Sequence, residues 1–235
     1  MAHDEFPSGS ERSDSPSSKQ VLPTFPLGTV LVPGLVLPLH IFEQRYRDLV
    51  HDLLQRPEED RQFVVVAIRD GHEVGAGSRP ALYDVGTIAT IREVTPLEDG
   101  RFDLVTVGSS RVRISEVLDD RSYLQTKVTT VAEDSGPEAQ LLAPQVRAAF
   151  ARYRAMLTDD EESADDLPDD PGVLSYLVAA ALVLDLPDRQ ALLEVPDDTT
   201  RLRTQLRRLR TEIALLQVLP SLPATDLRST PPSPN

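Results

Sequence analysis

Four prolines fall within sixteen residues of an otherwise apolar stretch, Leu22-Pro-Thr-Phe-Pro-Leu-Gly-Thr-Val-Leu-Val-Pro-Gly-Leu-Val-Leu-Pro38. Each lacks a backbone N–H and holds the residue before it in extended geometry, so no long helix can run through the segment. It reads as short extended pieces broken by a Pro33–Gly34 turn. These deliver the chain into a helix that starts near His40 and runs roughly from Ile41 to Gln55. On that helix Phe42, Tyr46, Leu49, Val50 and Leu53 share one face, and Glu43 with Arg47 forms an i,i+4 pair on the other.

From Thr29 to about Ala132 the apolar period is mostly that of strands. Phe63-Val-Val-Val-Ala-Ile68 is continuous and of strand length, which predicts burial on both faces. Val85 to Val94 is rich in β-branched residues. An Asp99–Gly100 turn follows, and a strand over Phe102–Val107 lies at hairpin distance. Gly108-Ser-Ser110 then reads as a break before a second strand, Val112–Val117, and Tyr123–Val131 alternates once more. Short strands with one inserted helix predict a small, strongly curved sheet closing towards a barrel.

After Gly136-Pro137 the period becomes helical. Expected helices are Glu138–Leu157, Val173–Leu184, Leu186–Glu194 with Pro187 in its first turn, and Thr199–Leu219. In the last, Leu202, Leu206, Leu209, Ile213 and Leu216 are spaced alternately four and three, a seam that reads as packing within the chain. The division expected is a disordered tail over 1–20, a β domain over 21–134, a helical bundle over 135–219 and a second disordered tail over 220–235. The fold class is α+β.

Composition removes several kinds of chemistry. There is no cysteine, so thiolate metal sites and cysteine nucleophiles are excluded. Acidic residues outnumber basic ones 38 to 24, for a formal charge of −14. That balance argues against binding nucleic acid, and no strand combines aromatic and basic residues as RNA stacking requires. No apolar run reaches the ~18–20 residues that cross a bilayer, and His3, Asp4 and Glu5 stand where a signal peptide would be basic. A cytoplasmic protein is expected, with no membrane partner.

The only lysines are Lys19 and Lys127, and no Gly-Lys pair occurs, so a phosphate-cradling loop is absent. Neither lysine is placed for a serine–lysine dyad. Ser109 and Ser110 lack the context of a nucleophile elbow. His40 and His51 stand eleven apart on the expected helix, unlike a metal-binding i,i+4 pair, while His3 falls in the tail and His72 in a Gly/Asp-rich turn. Asp159-Asp-Glu-Glu162 and Asp169-Asp170 read as a solvated acidic loop. No catalytic, metal-binding or cofactor-binding residue is assigned.

Several pieces in order resemble the substrate-binding domain at the N-terminus of Lon proteases, of the PUA-like type also found in cereblon. These are Leu22–Gly28, the Pro33–Gly34 turn, His40-Ile-Phe-Glu-Gln-Arg-Tyr-Arg47, Tyr83-Asp-Val-Gly-Thr-Ile-Ala89, Phe102–Gly108 and Arg111-Val-Arg-Ile114. Leu167–Leu177 and Asp188–Glu194 are similar to the bundle after the barrel. The resemblance covers roughly residues 21–219. It implies a PUA-like small barrel with an inserted helix, then a helical bundle. Pro26, Gly28, Pro33, Gly34, Pro38, Phe42, Glu43, Arg45, Tyr46, Gly86, Gly108 and Arg111 are the motif residues, read first as architecture. Arg45 and Arg111 are candidates for an anion, or simply paired with acids.

The resemblance further implies a stand-alone, non-catalytic module that holds unfolded or degron-bearing polypeptide for proteolysis. Leu35, Val36 and Leu37 are candidate peptide contacts with Tyr83 as an aromatic anchor, against the alternative that each packs in the core. An adaptor that delivers a client to a partner protein is the competing reading.

Overall fold

The computed structural model describes residues 19–70, 81–157 and 167–218. His3, His72, nearly all of the two tails and most of the acidic loop lie outside them. The chain divides into two compact units: residues up to Leu31 with Leu37–Val131, and Val32–Val36 with everything from Ala132 onward.

The first unit carries strands β1 (Gln20–Leu27), β2 (Val36–Ile41), β3 (Gln62–Asp70), β4 (Ala81–Leu82), β5 (Val85–Pro96), β6 (Phe102–Leu118) and β7 (Gln125–Thr130), with helix α1 (Gln44–Leu54) after β2. Strand order is β1-β7-β6-β5-β3, and β3 pairs back onto β1, which closes a small barrel. The closing pair is parallel, from Thr24 opposite Val64 to Leu27 opposite Ala67. β1 is bonded to β7 over Gln20–Pro23 and to β3 over Thr24–Leu27. It changes partner midway, so neither Pro23 nor Pro26 sits where ladders on both sides need an N–H.

The run at 63–68 is buried on both faces, as its composition predicts. Phe63 and Val65 join a core with Phe25, Tyr46, Leu49, Val50 and Leu53 under α1. Val64 and Val66 point the other way, into a second cluster with Leu22, Ile88, Val112 and Val128. Period-two alternation thus feeds two cores from one strand.

Gln20 belongs to β1, so the first strand starts at the last residue of the expected tail and ahead of Thr29, where the strand period is read to begin. His40 and Ile41 end β2, and the helix starts only at Gln44; Glu43 stands before it in extended geometry and pairs with Arg45 at 2.9 Å, not as the expected i,i+4 partner of Arg47. Phe42 therefore lies off the helix and is 55 % exposed. Gly108 does not break the strand either. It faces Ala89 inside a continuous 17-residue β6, and register shifts in the β5–β6 ladder absorb the curvature a break would have supplied.

The second unit contains α2 (Ala139–Leu157), α3 (Pro171–Ala181), α4 (Leu186–Glu194) and α5 (Asp198–Val218). Three aspartates set the helix starts: Asp170, Asp185 and Asp197 accept from the backbone N–H of Val173, Asp188 and Thr200 at 2.8, 2.9 and 2.6 Å. Pro171 and Pro187 occupy the first turns that follow. α3 therefore begins two residues before the expected Val173. It stops at Ala181, because Leu182 turns extended on the way to the next cap. The α5 seam packs inside the unit: Leu202, Leu206, Leu209 and Ile213 meet Val146, Phe150 and Tyr153 of α2 and Leu174 and Val178 of α3.

Candidate functional site

Within the second unit, a groove of about 800 Å³ lies between the Pro33–Gly34 turn and helix α3. Val32, Pro33, Gly34 and Leu35 form one wall. Gly34 has φ +81°, a left-handed conformation that glycine adopts without penalty, and the Leu35 N–H closes the turn on the Val32 carbonyl. The opposite wall is a face of α3, with Val173, Tyr176, Leu177, Ala180 and Ala181. Val173 is 55 % exposed, so this wall presents apolar surface to solvent. Glu133, Asp170 and Asp198 line the groove as well.

A buried network underlies the α3 wall. Arg201 is fully buried and donates to the Leu192 carbonyl at 3.0 Å, Ser175 Oγ at 2.9 Å, Asp198 Oδ1 at 2.7 Å and Tyr176 Oη at 3.1 Å. The Tyr176 hydroxyl in turn donates to Glu133 Oε2 at 2.8 Å. Burial pushes the Asp198 carboxyl up, the Arg201 guanidinium pulls it back down, and Glu133 and Asp170 push it up again; the net direction is upward. The guanidinium meets its desolvation cost with four acceptors and an aromatic face, the condition under which a buried cation is tolerated.

Of the candidate contacts, the structure brings only Leu35 into this groove, where it is 37 % exposed. Val36 is more exposed but is not part of the lining. Leu37 is half-buried and packs on the core under α1. Tyr83 is half-buried, with its N–H bonded to the Ala67 carbonyl.

Several motif residues lie in or against the packed framework of the first unit. Tyr46 stacks on Phe25 at 3.9 Å, and Arg45 lies over its ring at 4.5 Å. Pro26 and Pro38 sit in β1 and β2, and Gly28 directly follows β1. A Cβ at Gly86 would stand 2.6 Å from the Val65 carbonyl oxygen. Arg111 is 1 % exposed, so it offers nothing to a ligand in solution. His40 is on β2 and accepts from Arg101 through Nε2 at 3.0 Å while its Nδ1 meets Asp103 at 2.6 Å. Lys127 pairs with Glu116. Among the described residues no group of His, Asp or Glu converges to hold a metal ion, and no helix is long and apolar enough to cross a membrane.

Sequence reasoning missed Tyr176, Glu133 and the arginine behind them. A signal was present: Asp198, Arg201 and Gln205 repeat at i,i+3 and i,i+4 beside the apolar seam, a polar stripe on a side that must be partly covered.

One unit is a small closed barrel, and the other is a helical unit that carries an apolar groove. The chain belongs to the ATP-dependent protease La (LON) substrate-binding domain family, whose model matches residues 21–211. It is 31 % identical over 186 residues to Lon protease 2 of Syntrophobacter fumaroxidans, covering 77 % of this chain and 23 % of that protein. To Lon protease of Escherichia coli K12 it is 27 % identical, over 86 % of this chain and 26 % of that one. The chain thus spans about a quarter of the length of these curated relatives. Among solved structures, the N-terminal domain of Mycobacterium avium complex Lon protease superposes with a TM-score of 0.63 at 21 % identity, covering 81 % of this chain and 98 % of that one. The Lon N-terminal domain protein from Xanthomonas campestris gives 0.59 at 27 %, covering 80 % and 98 %.

Proposed function

We propose that this chain is a non-catalytic, PUA-like module of the cytoplasm that binds unfolded or degron-bearing polypeptide in the groove between the Pro33–Gly34 turn and α3, in the service of protein quality control. One observation carries the reading. In a chain of the LON substrate-binding family, the turn that opens the domain lines an apolar groove wide enough for several side chains. Burying apolar side chains there would drive association without a catalytic group, at roughly micromolar strength for a small groove. We take residues 21–134 and 135–219 as the two parts of the module, with Val32–Val36 counted to the second.

The test is fluorescence anisotropy with a labelled unfolded protein and an apolar peptide. Leu35→Ser removes a lining side chain and should weaken binding about tenfold, whereas Val36→Ser, outside the lining, should leave it nearly unchanged. Both variants should keep the parent melting temperature. A folded parent that binds neither probe, yet captures one folded partner protein, would replace this reading with that of an adaptor.

A further inference from the structure

We infer that the groove selects for cationic polypeptide: its occupant is an extended segment in which apolar side chains are flanked by lysine or arginine. This rests on the polypeptide-binding reading above and adds to it the chemistry of the preferred segment.

The lining is asymmetric in charge. Among the described residues, its ionisable side chains other than Tyr176 are Glu133, Asp170 and Asp198, and no lysine or arginine contributes. Arg201, the cation paired with Asp198, is sealed beneath the wall and committed to Asp198, Ser175, Tyr176 and the Leu192 carbonyl. It offsets the charge of Asp198 and offers no donor to an occupant.

The two outer carboxylates are also held in place. Glu133 accepts from the Tyr176 hydroxyl, and the Tyr176 ring rests on the Arg201 guanidinium at 4.1 Å. Asp170 is fixed by capping α3 through the Val173 N–H. Preorganised charges cost little ordering entropy when a cation arrives, so they favour a matching partner more than mobile surface acids do. The N-terminus of α3 would draw an anion, but the Asp170 carboxylate already occupies that position. A metal ion is not the match either, because these acids do not converge. An apolar floor with a fixed acidic rim fits an apolar segment carrying basic side chains, and repels the same segment carrying acidic ones.

The experiment uses the full chain and three labelled peptides with one shared apolar core of leucine, valine and phenylalanine, flanked by lysine, serine or glutamate. At about 50 mM salt the lysine-flanked peptide should bind about tenfold more tightly than the glutamate-flanked one, and the gap should close at about 500 mM. The net charge of −14 would give some preference to any basic peptide, so a variant separates the rim from the rest of the surface. In Glu133→Gln/Asp170→Asn, glutamine still accepts from Tyr176 and asparagine still caps α3. The lysine preference should fall to less than about threefold, with the parent melting temperature retained.

Equal binding of the three peptides at low salt overturns the inference and leaves polypeptide binding standing. So does a preference that survives intact in the double variant. Failure of all three to bind the folded chain overturns the polypeptide reading itself, and a dimeric mass in solution would then assign the groove to a second copy.

Discussion

The guanidinium of Arg201 lies over the ring of Tyr176 at 4.1 Å and also donates to that ring's own hydroxyl at 3.1 Å. Two contacts from one cation fix the tilt and the rotation of the aromatic side chain. The Tyr176 hydroxyl keeps its proton for Glu133, so the orientation of a carboxylate on the groove traces back to a cation that solvent never reaches. Four acceptors surround that cation, and the energetic consequences of removing it are correspondingly large.

Arg201→Met should destabilise the fold by about 3–5 kcal/mol, since it leaves the Asp198 carboxylate buried without its partner. Arg201→Met combined with Asp198→Asn should recover much of that loss, because no uncompensated charge remains. Urea unfolding of the two variants and the parent checks the sign and the order. Equal destabilisation of the single and double variants would show that packing, not the ion pair, dominates at this position.

Asp197 caps α5 through the Thr200 N–H, and that hydrogen bond lowers its carboxyl below the ordinary aspartate value of 3.8. Asp197→Ala should cost about 1 kcal/mol at neutral pH. Folded Asp197 gives up its proton more readily than the unfolded chain does. Its contribution is therefore complete above the unfolded value and disappears as the pH falls through the folded one. The stability gap between parent and variant should narrow below about pH 4, which unfolding curves at a series of acid pH values would record.

Gly34 and Gly86 should respond to alanine for different reasons. A Cβ at Gly34 meets nothing within 4 Å, so Gly34→Ala pays only for its φ of +81°, about 1 kcal/mol. A Cβ at Gly86 would run into the Val65 carbonyl, and Gly86→Ala must push neighbouring strands apart for about 1–3 kcal/mol. Gly34→Asn should lose less than Gly34→Ala, since asparagine tolerates the left-handed region, whereas Gly86→Asn should be worse than Gly86→Ala. Melting temperatures of the four variants distinguish the two causes.

Leu209 is fully buried at the middle of the α5 seam. Leu209→Asp places a carboxylate among Val146, Phe150 and Leu174 and should cost several kcal/mol, enough to unfold the second unit at ordinary temperature. Leu209→Met, with nearly the same volume, should stay within about 1.5 kcal/mol of the parent. Circular dichroism against temperature reads both.

Local pattern carried much of this structure. The apolar run at 63–68, the Asp99–Gly100 hairpin and the 4-3 spacing of α5 could each be read from residues a few positions apart, because helix and strand periods are local properties. Asp170, directly before Pro171, and Asp185, two residues before Pro187, are equally legible as helix starts, yet the expected α3 falls two residues late because its cap reads as the tail of an acidic loop. Gly108 misled for a related reason. A glycine between two strand patterns signals a break unless a neighbouring strand continues past it, and only the β5–β6 ladder shows that it does.

The sequence by itself determined the passage from a strand-rich part to a helical one, the exclusion of thiolate and P-loop chemistry, and the family. Tertiary structure alone decided that β1 closes the barrel by pairing in parallel with β3, and that Val32–Val36 joins the second unit. It also decided that Arg201, one of many arginines on α5, is the buried one beneath Tyr176. Each of these depends on residues far apart in the chain, and contacts of that kind leave no periodic trace in the segments that make them.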